Sequence, residues 1–101
     1  MTQDITDFFD ALPGRAAGKT SGMNNTYVFA IDGAGTWTVA VTDAGATVAE
    51  GDQGGDCTLE TSAETFSRMV SGEQNPTTAY MTGKLKIKGD MGAAMKLQKL
   101  F

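Results

Sequence analysis

The sequence predicts an α+β fold in which a five-stranded, mostly antiparallel sheet carries helices on one face. Three observations lead to this prediction. Apolar and polar residues alternate through most of the strand-like segments, which indicates a sheet that is covered on one side only. Turn sequences such as "DGAG" and "DAG" join the early strands as hairpins. Helical patterns stand before and after this hairpin-linked run of strands.

Four helices are predicted. The segment "DITDFFDALPG" has apolar residues at helical spacing, and its Pro-Gly pair is expected to end the helix. A helix over "TSAETFSRMVSG" is expected to begin with a capping box of Thr61 and Glu64 and to end at Gly72. A short helix is expected over "NPTTAYMTG", with Pro76 in its first turn. Asp90 is expected to cap the final helix.

The strands are predicted over "YVFAI", "TWTVAVT", "ATVAE", "CTLE" and "KLKIK". The last of them shows the alternation clearly, because Leu85 and Ile87 share one face. The other face carries only lysines: Lys84, Lys86 and Lys88. We therefore expect this strand to be half-buried, with its lysines directed away from the helices.

Charge is distributed unevenly along the chain. Residues 1–83 hold three basic residues against eleven acidic ones, a net charge of −8, whereas residues 84–101 hold five lysines against one aspartate, a net charge of +4. Most of the surface would therefore repel phosphate, which argues against a nucleic-acid-binding domain. A small basic patch at the C-terminal end is compatible with this distribution.

The residue types that most catalytic sites need are missing. The sequence has no histidine, the usual general base and nitrogen ligand of metals. The single cysteine, Cys57, falls among the apolar positions of a predicted strand and is expected to be a core thiol in a reducing compartment such as the cytoplasm. No acidic spacing matches a calcium loop, and no glycine pattern matches a phosphate loop. We expect a non-enzymatic protein with no cofactor and no metal.

Methionines are concentrated in the predicted helices of the second half: Met69, Met81, Met91 and Met95. Methionine fills irregular gaps in an ordinary core, which is the simpler interpretation of an apolar helical stripe. The same flexible side chains also line cavities that accept varied apolar ligands. The pattern alone leaves both interpretations open.

Residues 80–101, "YMTGKLKIKGDMGAAMKLQKLF", resemble the C-terminal signature of the sterol carrier protein 2 (SCP-2) family, whose pattern is FMxGKLKIxGDMxxAMKLxxLF. Upstream, "TYVFAIDGAGTWTVAV" resembles the first hairpin of that family, and "DCTLETSAETFSRMVSGEQNP" resembles its strand-to-helix segment. The resemblance runs from about Phe8 to Phe101. It implies that residues 1–101 form a single SCP2-like domain with an apolar tunnel between sheet and helices.

The resemblance also implies that the tunnel binds a lipid without covalent chemistry: a fatty acid, a fatty acyl-CoA, a phospholipid or a sterol. By position, the residues implied to line it are Phe66, Met69, Val70, Tyr80, Met81, Met91, Met95 and Phe101. Trp37 is a further candidate for the tunnel floor, with a place in the sheet core as the alternative. Tyr80 stands where the family often has phenylalanine, so its hydroxyl favours a ligand with a polar group.

The lysines of the last strand allow two interpretations. Lys84, Lys86 and Lys88 are expected either to be solvent-exposed residues that protect a sheet edge or to dock on an anionic membrane surface or a CoA phosphate. The acidic remainder of the chain opposes the second interpretation.

Two functions from different classes follow. The first is non-enzymatic binding, and intracellular transfer, of lipids in the tunnel. The alternative is an accessory or dimerisation domain whose apolar groove binds a protein partner or shields the substrate of a partner enzyme. Either function leaves the oligomeric state open. An empty cavity of about 300 Å³ would cost roughly 7 kcal/mol, so we expect the empty tunnel to be partly collapsed or to hold a co-purified lipid.

Overall fold

The computed structural model describes residues 2–96 except 17, 19 and 21, and it confirms the α+β prediction. Within these residues the elements are α1 (Thr2–Ala16), β1 (Asn25–Asp32), β2 (Gly35–Thr42), β3 (Gly45–Glu50), β4 (Cys57–Ser62), α2 (Ala63–Ser71), α3 (Pro76–Met81), β5 (Leu85–Gly89) and α4 (Met91–Lys96). The strands form one sheet in the order β3-β2-β1-β4-β5. Neighbouring strands are antiparallel except β1 and β4, which are parallel.

The helices cover one face of this sheet, as the alternating strand pattern predicts. Phe29 of β1 lies between Trp37 of β2 and Leu59 of β4 in the register of the sheet. These three side chains are buried in one apolar core together with Ile5 of α1 and Phe66 of α2. Burial of this shared face is the main contribution to holding the helices on the sheet.

The opposite face of the sheet is polar and is crossed by the connection between β3 and β4. The Thr38 hydroxyl donates to the Gly51 carbonyl at 2.7 Å and accepts from the Gln53 amide at 3.0 Å. Near the end of the connection, the Asp56 carboxylate accepts from the Thr26 amide at 2.9 Å. These bonds fix the path of the chain from the edge strand β3 to β4, which adds to the sheet beside β1.

The predicted end of the first helix is wrong. α1 continues to Ala16, past the Pro-Gly pair that was expected to end it. Proline removes one helical hydrogen bond. The turn that follows is stabilised because the Arg15 guanidinium lies over the Phe8 ring, 5.2 Å from its centroid. This side-chain contact offsets part of the cost of a proline inside the helix.

The predicted N-cap of α2 is also wrong, by one residue. The cap is Ser62, whose hydroxyl accepts from the Thr65 amide at 3.2 Å. Thr61 is an inward-facing residue of β4, and its hydroxyl donates to the Lys84 carbonyl at 2.8 Å. Because that hydroxyl joins the sheet to the turn before β5, it does not cap the helix. Gly72 ends α2 with a φ of 87°, as expected.

The last two helices begin as the sequence predicts. Pro76 is the first residue of α3, and the Asn75 side chain accepts from the Thr77 amide at 2.8 Å. The Asp90 carboxylate accepts from the Ala93 amide at 3.1 Å and so caps α4. Between them, β5 forms the edge of the sheet opposite to β3.

Candidate functional site

Aromatic rings fill the space between the sheet and the first two helices. The Phe9 ring of α1 stacks on Trp37 at 4.6 Å and on Phe66 at 5.5 Å between centroids. Phe8 and Phe29 pack edge-on against the same Phe66 ring, at 5.5 Å and 5.9 Å. The structure therefore places Phe66 and Trp37 inside a closed aromatic cluster that holds α1 and α2 on the sheet.

An apolar pocket of about 40 Å³ lies at the other end of the helical layer. It is bounded by α3, α4 and the inward face of β5, with single residues from α2 and β4. Its lining residues are Leu59, Met69, Pro76, Thr77, Tyr80, Leu85, Ile87, Met91, Ala94 and Met95. The side chains that face it are almost entirely apolar, so the pocket suits a hydrocarbon group rather than a charged one.

The structure brings together four of the residues that the resemblance implies: Met69, Tyr80, Met91 and Met95. Met69 is buried at the inner end of the pocket. The other three are partly open to solvent, with exposed fractions of 42% for Tyr80, 39% for Met91 and 56% for Met95. These three side chains form the mouth of the pocket, which opens between α3 and α4.

The remaining implied residues lie elsewhere. Phe66 belongs to the aromatic cluster, and Val70 is half-buried against the core. Met81 is 78% exposed and does not line the pocket. Phe101 lies outside the described residues.

Tyr27 connects the centre of the sheet to α4 and was not singled out by the sequence patterns. Its side chain is fully buried, and its hydroxyl donates to the Ala93 carbonyl at 2.6 Å. Burial raises the pKa of Tyr27 to about 12, and the nearby Cys57 thiol and the Asp90 and Asp56 carboxylates act in the same direction. The hydroxyl is therefore a neutral donor at all ordinary pH values.

The β5 lysines, which are Lys86 and Lys88 within the strand and Lys84 immediately before it, do not line the pocket. Lys88 forms an ion pair with Glu60 at 3.1 Å. Lys84 and Lys86 border an open groove of about 680 Å³ on the outer side of the sheet, which Asp32 and Glu60 also line. Because both signs of charge meet in this groove, it is a weak candidate for binding a single anion.

The described residues contain no arrangement that is typical of an active site. Cys57 is buried, and its pKa is raised by that burial and, to a smaller extent, by Asp90 and Asp56, so the thiol is a poor nucleophile. In the part of the chain that the structure describes, no group of three or more His, Cys, Asp or Glu is placed to hold a metal ion. Among the same residues, no helix is both long and apolar enough to span a bilayer.

Residues 7–101 match the model of a family described as the SCP-2 sterol transfer family. The chain belongs to the SCP-2 sterol transfer family. Lipid binding or transfer is general to SCP2 domains, which are typically non-enzymatic. The match agrees with the apolar pocket and with the absence of a reactive cluster among the described residues.

Two curated relatives illustrate how the SCP2 domain is used. Human hydroxysteroid dehydrogenase-like protein 2 is 40% identical over 78 residues, which cover 73% of this chain and 19% of that protein. Human sterol carrier protein 2 is 42% identical over 66 residues, which cover 64% of this chain and 12% of that protein. The chain therefore spans less than a fifth of the length of these relatives, in which the SCP2 domain is one part of a larger protein.

The fold is shared with a solved SCP2 domain over nearly the whole chain. The solution structure of the sterol carrier protein domain 2 of Helicoverpa armigera has a TM-score of 0.76 and 27% identity, and the match covers 97% of this chain and 82% of that one. The sheet and helices described here are thus those of the SCP2 fold.

Proposed function

We propose that the chain is a single lipid-binding domain over residues 1–101 and that it binds the hydrocarbon part of a lipid in the pocket between α3, α4 and β5. The observation that supports this most directly is an apolar pocket whose mouth is formed by exposed, flexible side chains. Met69, Met91 and Met95 would contact the hydrocarbon, because methionine adapts its shape to varied apolar surfaces.

The small volume of the pocket determines how much free energy a ligand must supply to open it. Opening it from about 40 Å³ to about 300 Å³, the small end for ligand sites, would cost about 6 kcal/mol if the space stayed empty. That is a large part of the ~5–15 kcal/mol stability of a domain. The pocket is therefore expected to widen only as a ligand fills it.

A fatty acyl chain can supply the required free energy. Burying about 16 methylene groups contributes roughly 13 kcal/mol before the costs of association are subtracted. Pocket opening and immobilisation remove much of this gain, so we expect micromolar affinity and loose selectivity. Fatty acids, fatty acyl-CoA, phospholipids and sterols all carry suitable apolar groups.

The polar end of the ligand is proposed to stay at the mouth. The Tyr80 side chain lines the mouth and is partly exposed, so its hydroxyl is available to a carboxylate, an ester or a sterol hydroxyl. This arrangement favours a ligand that inserts its apolar end first.

Palmitate is a suitable first probe. We expect saturating palmitate to raise the thermal unfolding midpoint, and we expect Met91→Gln to weaken palmitate binding about tenfold, because a polar amide replaces an apolar contact. Met81→Gln is the matched control, since Met81 is exposed but lies outside the pocket. An unchanged midpoint in palmitate, together with no lipid in an extract of the purified protein, would argue against the proposal.

We also propose that the β5 lysines contribute to contact with an anionic membrane surface. Residues 84–101 contain five lysines and only one acidic residue. The exposed Met81 precedes Lys84 by three residues. Each lysine near a charged surface contributes about 1 kcal/mol. Lys88 would contribute least, because it already pairs with Glu60.

Vesicle co-sedimentation tests this contact. We expect binding to vesicles that contain phosphatidylserine, weaker binding to neutral vesicles, and a loss of the difference in a Lys84→Gln, Lys86→Gln double variant. Arg68→Gln is the control, because Arg68 is an exposed cation of α2 that pairs with Glu64. Equal binding to neutral and anionic vesicles would favour lysines that only protect the sheet edge.

A second candidate function is supported by the length of the relatives. Because the matched region is 19% of the dehydrogenase-like protein and 12% of sterol carrier protein 2, an SCP2 domain can serve as an accessory domain to another activity. The apolar groove would then bind a protein partner, take part in dimerisation or shield a partner enzyme's substrate. Native mass spectrometry separates the two candidates: a bound lipid favours the first, and a stable lipid-free dimer favours the second.

The proposed site of action is the cytoplasm. Lipid transfer between membranes there would require no covalent chemistry. A single buried cysteine fits a reducing compartment. No cofactor or metal is part of the proposal.

A further inference from the structure

Two walls of the pocket, α3 and α4, are short helices whose fully buried side chains are all small. The β4 and β5 residues belong to the sheet ladder, and α2 is fixed by the aromatic cluster. α3 is capped by Asn75, and the carbonyl of its buried residue Ala79 accepts a hydrogen bond from the Lys84 amide at 2.8 Å. Within the described residues, α4 buries only the small side chains Ala93 and Ala94, while Met91 and Met95 remain exposed. Widening the pocket at α4 would therefore expose no large, fully buried side chain from the described part of that helix.

The Tyr27–Ala93 hydrogen bond opposes this movement. Tyr27 stands on β1, the central strand, and its fully buried hydroxyl reaches the Ala93 carbonyl at 2.6 Å. Ala94, the next residue of α4, lines the pocket. The bond therefore joins the α4 wall of the pocket to the central strand of the sheet.

We infer that Tyr27 is a positioning residue that holds α4 against the sheet, and that this hydrogen bond breaks when a lipid enters the pocket. The inference rests on the proposed lipid binding. A ligand that displaces α4 separates the Ala93 carbonyl from the hydroxyl, so part of its binding free energy is used to break a buried hydrogen bond. Tyr27 would thus lower the affinity for lipid while raising the stability of the empty protein.

Tyr27→Phe tests the inference, because it removes the hydroxyl and keeps the ring. The variant is expected to unfold at a lower temperature and yet to bind palmitate about fivefold more tightly by calorimetry, the factor expected for one ordinary hydrogen bond. Ile5→Val is the control. It destabilises the core through a buried residue of α1 that is neither in the pocket lining nor paired with Tyr27 in the sheet, and it should leave palmitate affinity unchanged.

Hydrogen exchange provides a second measurement without ligand. In Tyr27→Phe, the amides of Ala93 and Ala94, which are bonded to Asp90, should exchange several-fold faster than in Ile5→Val. Palmitate affinity in Tyr27→Phe that is equal to or weaker than in the wild type would overturn the inference and leave the proposed function intact. If the wild type takes up no palmitate, the proposed function fails for this ligand. In that case the exchange rates alone test the role of Tyr27. If exchange in Tyr27→Phe is not selectively faster at the α4 amides, that role is refuted.

Discussion

Alkaline pH should destabilise the protein through Tyr27. The pKa of this hydroxyl is about 12 in the folded protein, against an ordinary value of 10.0 for tyrosine, mainly because the side chain is buried. Between these two values the unfolded chain has lost the proton and the folded chain still holds it. Because the folded state holds this proton more tightly than the unfolded state, the free energy of unfolding decreases as the pH rises.

The size of the effect follows from the width of this interval. The free energy of unfolding should fall by up to about 1.4 kcal/mol for each pH unit between these two pKa values, and the slope is smaller near each of them, so the loss is roughly 2 kcal/mol by pH 12. Below pH 10 the group holds its proton in both states and contributes no slope. A loss of this size is substantial against a typical domain stability of ~5–15 kcal/mol.

Urea unfolding measures this effect, with Trp37 as a buried fluorescent probe. Other groups titrate in the same range, so the quantity to follow is the difference in unfolding free energy between the wild type and Tyr27→Phe. That difference should be constant from pH 7 to 9 and should then decline by up to about 1.4 kcal/mol per pH unit above pH 10. Parallel curves for the two proteins up to pH 11.5 would refute the assigned pKa shift.

Four substitutions test other parts of the fold by the same unfolding measurement. Phe66→Ala should cost about 3–5 kcal/mol, because it removes the ring on which the aromatic cluster packs; a cost below 1 kcal/mol would instead favour a place for Phe66 in an open pocket. Gly55→Ala should destabilise by about 1–3 kcal/mol, since its new Cβ would lie 2.6 Å from the Thr26 carbonyl oxygen, whereas Gly14→Ala, which meets no atom within 4 Å, should be neutral or stabilising. Asn75→Ala should cost about 1 kcal/mol through loss of the α3 cap, and an unchanged stability would show that the cap is dispensable.

The architecture could be predicted from the sequence because its signals are local. Alternation with a period of two identifies β1, β2 and β5. Turn residues identify the hairpins that join β1 to β2 and β2 to β3. The errors occur where a side-chain contact acts against a backbone preference. Pro13 lies inside α1 although proline usually ends a helix, and the Arg15 guanidinium lies over the Phe8 ring of the same helix. Thr61 fails as a cap because its hydroxyl bonds to the turn before β5.

The candidate site was predictable in part, and the limits are geometric. Tyr80 and Met81 are consecutive residues of α3, so their side chains point about 100° apart and only Tyr80 faces the pocket. Phe66 and Met69 share one face of α2 but lie a turn apart, so one joins the aromatic cluster and the other reaches the pocket. The Tyr27–Ala93 hydrogen bond joins residues 66 positions apart, and no periodic pattern signals such a contact.

The two ends of the helical layer differ in how readily they tolerate change. Stacked rings at the α1 end fit one another closely, so substitutions there alter the packing of several neighbours at once. The mouth of the pocket at the α4 end, formed by Tyr80, Met91 and Met95, is partly exposed. It therefore accepts changes in side-chain volume at low cost in stability. During divergence, the preference for one ligand over another can therefore drift through substitutions at α3 and α4, while selection for folding acts on a separate set of residues.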